Sequence, residues 1–146
     1  MAKKIKRTRA LTTAKKRLDL AREIAEDASV VLIRRDFIDK FTLCDITCKT
    51  ILEYYAEAKK IDKQGKFINL NVQKISAAMH LFDLDIPRHV LSGVFGGSKQ
   101  YRKRNSKSAK KLRDGIVHAM SKEDIQEVVQ RNEELNTLMD SFLAYF

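Results

Sequence analysis

The chain is poor in the residues that tight turns, disulfide scaffolds and membrane spans require. Its 146 residues include five glycines and one proline, too few for the many turns of a β-sandwich. Its two cysteines are too few for the disulfide framework of a small secreted domain. No apolar run approaches the ~20 residues of a membrane-spanning helix, and no apolar signal-peptide core follows the basic first residues. These absences favour a helical protein that resides in the cytoplasm and does not bind membranes.

The net charge of +10 is concentrated in two segments. Residues 1–17 and residues 99–113 each contain eight lysine or arginine residues and no acidic residue. The other 114 residues therefore hold 13 of the 29 basic side chains and all 19 acidic ones, a net charge of −6. Two basic segments on an acidic body are typical of proteins that bind a polyanion, although lysine-rich segments also occur simply as solvated surface.

Apolar residues recur at helical spacing over most of the chain. They predict a long helix from Leu11 to Leu32 that continues or kinks into residues 37–41, and further helices over 43–60, 71–82, 87–93 or 87–97, 108–120 and 121–146. A loop is expected around Gly65, and residues 67–72 are a weak candidate for a strand. The predicted fold is an all-α bundle of four to six helices, in which residues 1–9 form a basic arm and residues 10–146 a single domain.

Two weaker patterns suggest other kinds of site. Cys44 and Cys48 lie one helical turn apart and could bind zinc together with His80 and His89. Because this spacing matches no standard zinc motif, two buried thiols are the favoured interpretation, and we expect no metal. Residues 75–95 could form a helix-turn-helix, but its second helix offers few polar side chains to read bases. These are Arg88, His89 and Ser92.

Arg113 and His118 lie five residues apart at the end of the second basic segment. A guanidinium neutralises a phosphate and the extra charge of its transition state, while an imidazole transfers protons near pH 7. The nucleophile can be the 2′-hydroxyl of RNA itself, so this chemistry requires neither a metal nor a cofactor. The pair therefore indicates RNA cleavage. The simpler alternative is an arginine on the surface and a histidine that caps a helix.

The stretch Arg113-Asp114-Gly115-Ile116-Val117-His118 resembles the HEPN superfamily of small α-helical domains, which share an Arg-x4–6-His motif with a polar residue after the arginine. The order of helices, ending in a long amphipathic one, also resembles that family over residues 10–146. The resemblance implies a metal-independent endoribonuclease, often a toxin or a phage-defence effector and often a homodimer. It implies that Arg113 and His118 are catalytic and that Asp114 is a polar positioning residue.

The resemblance also implies a protein partner, an antitoxin or another inhibitor. Some toxin members carry a tyrosine two residues after the histidine, where the antitoxin modifies it, and this chain has Met120 there. Neutralisation by that modification is therefore not expected. Binding of the RNA backbone is expected from basic residues near the motif, with an aromatic residue as a stacking platform. These are Lys99, Tyr101, Arg102, Lys103, Arg104, Lys107, Lys110 and Lys111.

The spacing of the motif raises a geometric problem. Five residues of an ideal α-helix span ~7.5 Å along the axis and ~140° around it, so Arg113 and His118 do not face one phosphate. Either the helix is distorted at Gly115, or two copies of the motif meet across a homodimer, where Gly115 would permit close approach of another backbone. A rival from another class is a non-catalytic module that holds a nucleic acid or docks on an acidic partner.

Overall fold

The computed structural model describes residues 2–59, 71–96 and 106–146, with side chains from Arg7 onward. Within these ranges the chain is all-helical, without a strand, which confirms the predicted all-α class. The predicted count of four to six helices is too low, because the same ranges contain seven. They are α1 (Ala2–Glu26), α2 (Ala28–Ala58), α3 (Val72–Leu81), α4 (Arg88–Phe95), α5 (Ala109–Ala119), α6 (Lys122–Gln130) and α7 (Asn132–Leu143).

Two breaks inside predicted helices raise the count. The carboxylate of Asp27 accepts hydrogen bonds from two backbone amides of the following turn, and this N-cap separates α2 from α1. Helix α2 then runs through the interruption predicted near residue 42. Arg131 ends α6 and precedes α7, while its guanidinium binds the carboxylates of Glu127 and Glu134. The apolar periodicity continues across both breaks, so it does not reveal them.

Other predicted bounds agree closely with the structure. The predicted third helix matches α3 to within one residue at each end, with Asn71 as the N-cap and Phe82 as the C-cap. Helix α5 lies between its caps Ser108 and Met120, which the sequence places at the helix ends. Side-chain caps define both N-termini, because Asn71 and Ser108 each accept a hydrogen bond from a backbone amide of the first turn.

The remaining bounds differ or fall outside the described ranges. The fourth predicted helix begins at Pro87, whereas in the structure Pro87 is the N-cap and α4 begins one residue later. Gly96 follows the helix as its C-cap. The loop around Gly65 and most of the candidate strand lie outside the described residues. The division between an arm and a domain after residue 9 falls inside α1.

Helix α2 is the centre of the bundle. It packs against α1, α3, α5, α6 and α7, while α4 packs against α3, α5 and α7. The rings of Phe41, Phe95 and Phe142 meet in this core, with centroid distances of 6.1 Å between the first two and 5.1 Å between the last two. Helix α5 contributes the buried side chains of Leu112 and Ile116 and leaves its opposite face to solvent.

Helix α1 contains the predicted basic arm, and helix α4 is the second helix of the candidate helix-turn-helix. Helix α1 packs on α2 near its own C-terminal end, where Ile24 is buried, whereas the side chains of residues 7–19 are all exposed. Helix α4 is buried along most of its length and leaves Arg88 and His89 exposed, an arrangement unsuited to a helix that must enter a DNA groove. Across the described segments, no helix has both the length and the apolarity that crossing a bilayer requires.

Candidate functional site

Helix α5 holds the motif in a regular helical backbone. The hydroxyl of Ser108 donates a hydrogen bond of 2.7 Å to the carbonyl of Gly96 and accepts one of 3.2 Å from the amide of Lys111. At the other end Met120 adopts the left-handed conformation, with φ of 45°. The helix runs through Gly115 without interruption. Of the two arrangements open from the sequence, distortion of the helix at Gly115 is therefore not observed.

Gly115 is required by a contact within the chain. A Cβ placed on this residue would lie 2.8 Å from Cγ of Asp124 and closer still to its Oδ2. Asp124 is buried and has little freedom to move, because its Oδ1 accepts a hydrogen bond of 2.6 Å from Nζ of Lys107. The close approach that Gly115 permits is thus that of a side chain of α6, and not the approach of another backbone that the sequence suggested.

Arg113 is oriented by two contacts. Its guanidinium carbon lies 4.9 Å from the centroid of the Phe41 ring on α2, a cation–π arrangement. Its Nη2 lies 3.1 Å from Oδ1 of Asp114, and the positioning role of that carboxylate stays a prediction. Nε is buried and has no hydrogen-bond partner in the part of the chain that the structure describes. A quarter of the side chain is exposed, so the guanidinium is fixed in direction but open to a ligand.

His118 lies on a different side of α5. Its side chain is exposed, and no hydrogen bond or ion pair joins it to any described residue. Because the helix is regular, ~140° of rotation and ~7.5 Å of rise separate it from Arg113. His118 shares its face of the helix with Lys111, two turns away, and with Asp114, one turn away. One chain does not bring Arg113 and His118 to one point.

A small cleft lies beside Arg113, between α5 and the helices α2, α3 and α4. Its volume is about 210 Å³, and Lys110 and Arg113 line it from α5. Lys49 also lines it and forms an ion pair of 2.7 Å with Asp45. The cleft is therefore cationic on balance. It places Lys110, a member of the predicted RNA-binding set, beside Arg113.

The other predicted RNA-binding residues fall into two groups, one outside the described residues and one at or near α5. Residues 99–104, which include Lys99, Tyr101, Arg102, Lys103 and Arg104, lie outside the described residues. Lys110 and Lys111 are exposed on α5. Lys107 is half exposed, but its ammonium is bound to Asp124, and its backbone is held as well. The amide of Lys107 donates to Glu127, and its carbonyl accepts from Arg131. The RNA-binding role of this set stays a prediction.

The alternative zinc set is not assembled. Cys44 and Cys48 face the core, where burial raises the pKa of both thiols to about 12. His80 and His89 are exposed on α3 and α4, on the outside of the bundle. In the described ranges no three His, Cys, Asp or Glu side chains are placed to share a metal ion. The two cysteines are core residues.

Two residues of this region, Phe41 and Asp124, are not among the site residues predicted from the sequence. Phe41 belongs to a predicted apolar face, and nothing in the sequence indicates that its ring faces Arg113. Asp124 follows the N-cap Ser121 by three residues, the spacing of a capping box, and Ser121 accepts a hydrogen bond from its amide. The carboxylate of Asp124 binds Lys107 instead of completing the box.

Comparison with known proteins adds nothing further: no protein-family model, curated protein or solved structure matches the chain.

Proposed function

We propose that the protein is a metal-independent endoribonuclease of the HEPN type, acting in the cytoplasm as a symmetric homodimer. One observation supports this proposal above the others. Arg113 is held in a fixed direction by Phe41 and Asp114, while His118, on the same helix, is exposed and has no hydrogen-bond or ion-pair partner within residues 2–59, 71–96 and 106–146. An oriented cation and an unengaged imidazole are the two groups that cleavage of RNA by its own 2′-hydroxyl needs.

In the proposed reaction the 2′-oxygen attacks the adjacent phosphorus, and the bond from phosphorus to the 5′-oxygen breaks. His118 takes the proton of the 2′-hydroxyl or delivers one to the departing 5′-oxygen. Arg113 stabilises the additional negative charge on the pentacoordinate phosphate. Asp114 keeps the guanidinium in place without touching the substrate. The products are a 2′,3′-cyclic phosphate and a 5′-hydroxyl end.

The regular geometry of α5 supports the dimer. Since Arg113 and His118 point ~140° apart, a phosphate bound to the Arg113 of one copy needs a histidine from a second copy. The exposed face of α5 offers an apolar contact for such a copy, because the side chain of Val117, next to His118, is 51% exposed. Repulsion between the Lys111 side chains of the two copies would be relieved by the RNA that binds there.

Cleavage of end-labelled RNA in the presence of EDTA tests the proposal. The wild-type protein should yield 2′,3′-cyclic phosphate ends, and His118→Ala should abolish them. His89→Ala is the matched control, since His89 is exposed on α4, outside the proposed site, and should leave cleavage unchanged. Absence of cleavage by the wild type, or equal cleavage by the wild type and His118→Ala, would contradict the proposal.

A non-catalytic RNA-binding module is the second candidate, and α1 favours it. Its residues 7–19 are exposed on all sides and carry five basic side chains, an arrangement that suits binding to a nucleic-acid backbone without chemistry. This candidate predicts salt-dependent RNA binding and no cyclic phosphate.

If the nuclease is a toxin, its protein inhibitor would be an acidic partner that covers the exposed face of α5, because Met120 provides no hydroxyl to modify.

A further inference from the structure

A second cationic groove lies at the opposite end of the contact between α2 and α5. It is open to solvent, with a volume of about 380 Å³, which is within the range of ~300–1,000 Å³ typical of small-molecule sites. Its apolar side comes mainly from α5, and its polar side comes from the first half of α2. The principal residues are Ile116, Val117 and Met120 on α5, and Arg34, Arg35 and Asp39 on α2.

Neither arginine of this groove has an anionic partner among the residues that the structure describes. Nη1 of Arg34 donates to the thioether sulfur of Met120 at 3.3 Å, and a thioether is a weak acceptor. No ion pair joins Arg34 or Arg35 to Asp39, or to any other carboxylate of the described segments. Arg34 is partly buried, so its unused donors lie in a setting that strengthens binding of an anion. Guanidinium groups with free donors beside an apolar wall suit a phosphodiester.

The groove adjoins the proposed catalytic residues. Arg113, Val117 and Met120 follow one another along α5 at helical spacing, so they form one edge of a continuous seam with α2. Arg113 contacts Phe41 in the middle of that seam, and Met120 contacts Arg34 at its end. Val117, which lines the groove, directly precedes His118. An RNA strand bound at Arg113 and continued along α5 would therefore enter this groove.

We propose that the groove binds the phosphate of a nucleotide next to the one that is cut, with Arg34 and Arg35 holding the phosphate and Met120 supporting the ribose or base. Its place beside the cut rests on the proposed function, whereas the binding of RNA does not. Arg34 and Arg35 are thus substrate-binding residues with no part in the chemical step. They extend the bound segment beyond the single phosphate that Arg113 can hold.

Binding of a short single-stranded RNA, 2′-O-methylated at every position so that it cannot be cut, tests the proposal on the full chain. Arg34→Ala/Arg35→Ala should weaken binding at least about fivefold in ~50 mM salt, and the loss of two phosphate contacts should lower the slope of log K against log salt by ~1.4. Lys74→Ala/Arg88→Ala removes the same charge from exposed positions on α3 and α4 and should change binding by less than about twofold.

Two further variants separate binding from folding. Arg35→Glu alters an exposed side chain alone and should also weaken binding, while Arg34→Lys/Arg35→Lys keeps both charges but loses the guanidinium groups and should retain part of the affinity. Equal binding by the arginine variants and the control pair would contradict RNA binding in the groove. If the wild-type protein still cleaves RNA in that case, the proposed function remains supported. Weakened binding in a protein that never cleaves RNA would support the groove and contradict the nuclease.

Discussion

The backbone of Gly115 and the carboxylate of Asp124 occupy adjoining space, such that any Cβ at position 115 would lie 2.8 Å from Cγ of Asp124. Lys107 holds that carboxylate in place with a bond of 2.6 Å. These contacts fix how α5 sits against α6, and α5 carries both Arg113 and His118. The orientation of the candidate site therefore depends on a contact between Gly115, which lies between the two candidate catalytic residues, and Asp124, which lies outside the motif.

Replacing Gly115 by alanine should destabilise the protein. Alanine favours a helix by ~1 kcal/mol over glycine, but the overlap with Asp124 should outweigh this gain and lower the free energy of unfolding by ~1–3 kcal/mol. Urea unfolding of Gly115→Ala measures the change. In an Asp124→Ala background the obstacle is gone, so the same substitution should become neutral or stabilising. Equal destabilisation in both backgrounds would contradict the account of this glycine.

The ion pair between Lys107 and Asp124 should make stability depend on alkaline pH. The hydrogen bond to Asp124 raises the pKa of Lys107 above its usual value of 10.5, so the pair stabilises the fold fully below that value and is lost as pH rises through the higher folded pKa. Lys107→Met leaves a buried carboxylate unpaired and should lower stability at neutral pH by ~1–3 kcal/mol.

Urea unfolding of both proteins from pH 7 to 11 gives the comparison. The difference between wild type and Lys107→Met should stay constant through neutral pH and shrink only above about pH 10.5. Lys111→Met is the control, because Lys111 is exposed and forms no ion pair in the described part of the chain. A difference that disappears below pH 9 would show that another group controls it.

Replacing Phe41 by leucine should affect catalysis more than folding. The ring orients Arg113, and loss of a cation–π contact worth ~0.5–2 kcal/mol should lower kcat by ~2- to 30-fold, with little change in KM. Phe142→Leu is the matched control, since Phe142 is equally buried and packs against Phe95 and Phe146. Equal effects of the two substitutions on kcat would mean that Phe41 serves only the core.

The two thiols should be unreactive in the folded protein. Burial raises the pKa of Cys44 and of Cys48 to about 12, so the reactive thiolate is scarce at pH 8. Labelling with a maleimide, followed by mass spectrometry, should show modification of both cysteines only after addition of denaturant. Rapid labelling of either cysteine in the native protein would contradict their placement in the core.

The spacing of apolar residues predicted the helical class and several helix ends because helix formation depends on local sequence. Asn71, Ser108 and Ser121 each cap the helix that they were expected to start, through bonds within one turn. The contacts that shape the site are not local. Arg113 and Phe41 are 72 positions apart in the sequence, and Arg34 and Met120 are 86 positions apart. No pattern along the chain therefore indicates that either pair is in contact.

The break at Asp27 shows why a local signal can still be missed. Its carboxylate caps α2, yet the apolar spacing continues in phase from one helix into the next, so periodicity predicts a single helix. Gly115 was misread for a different reason. Its need for space was visible in the sequence, but the neighbour that fills the space belongs to α6 and emerges only from the packing of α5 on α6.

The shared active site of a homodimer is the central claim, and complementation tests it most directly. Arg113→Gln and His118→Ala chains carrying different affinity tags are co-expressed, and the mixed dimer is purified through both tags. Each parent alone should be inactive. The mixed dimer keeps one site with both groups intact and should recover about half of the wild-type RNA cleavage in EDTA. A mixed dimer as inactive as its parents, or failure of the two chains to associate, would contradict the claim.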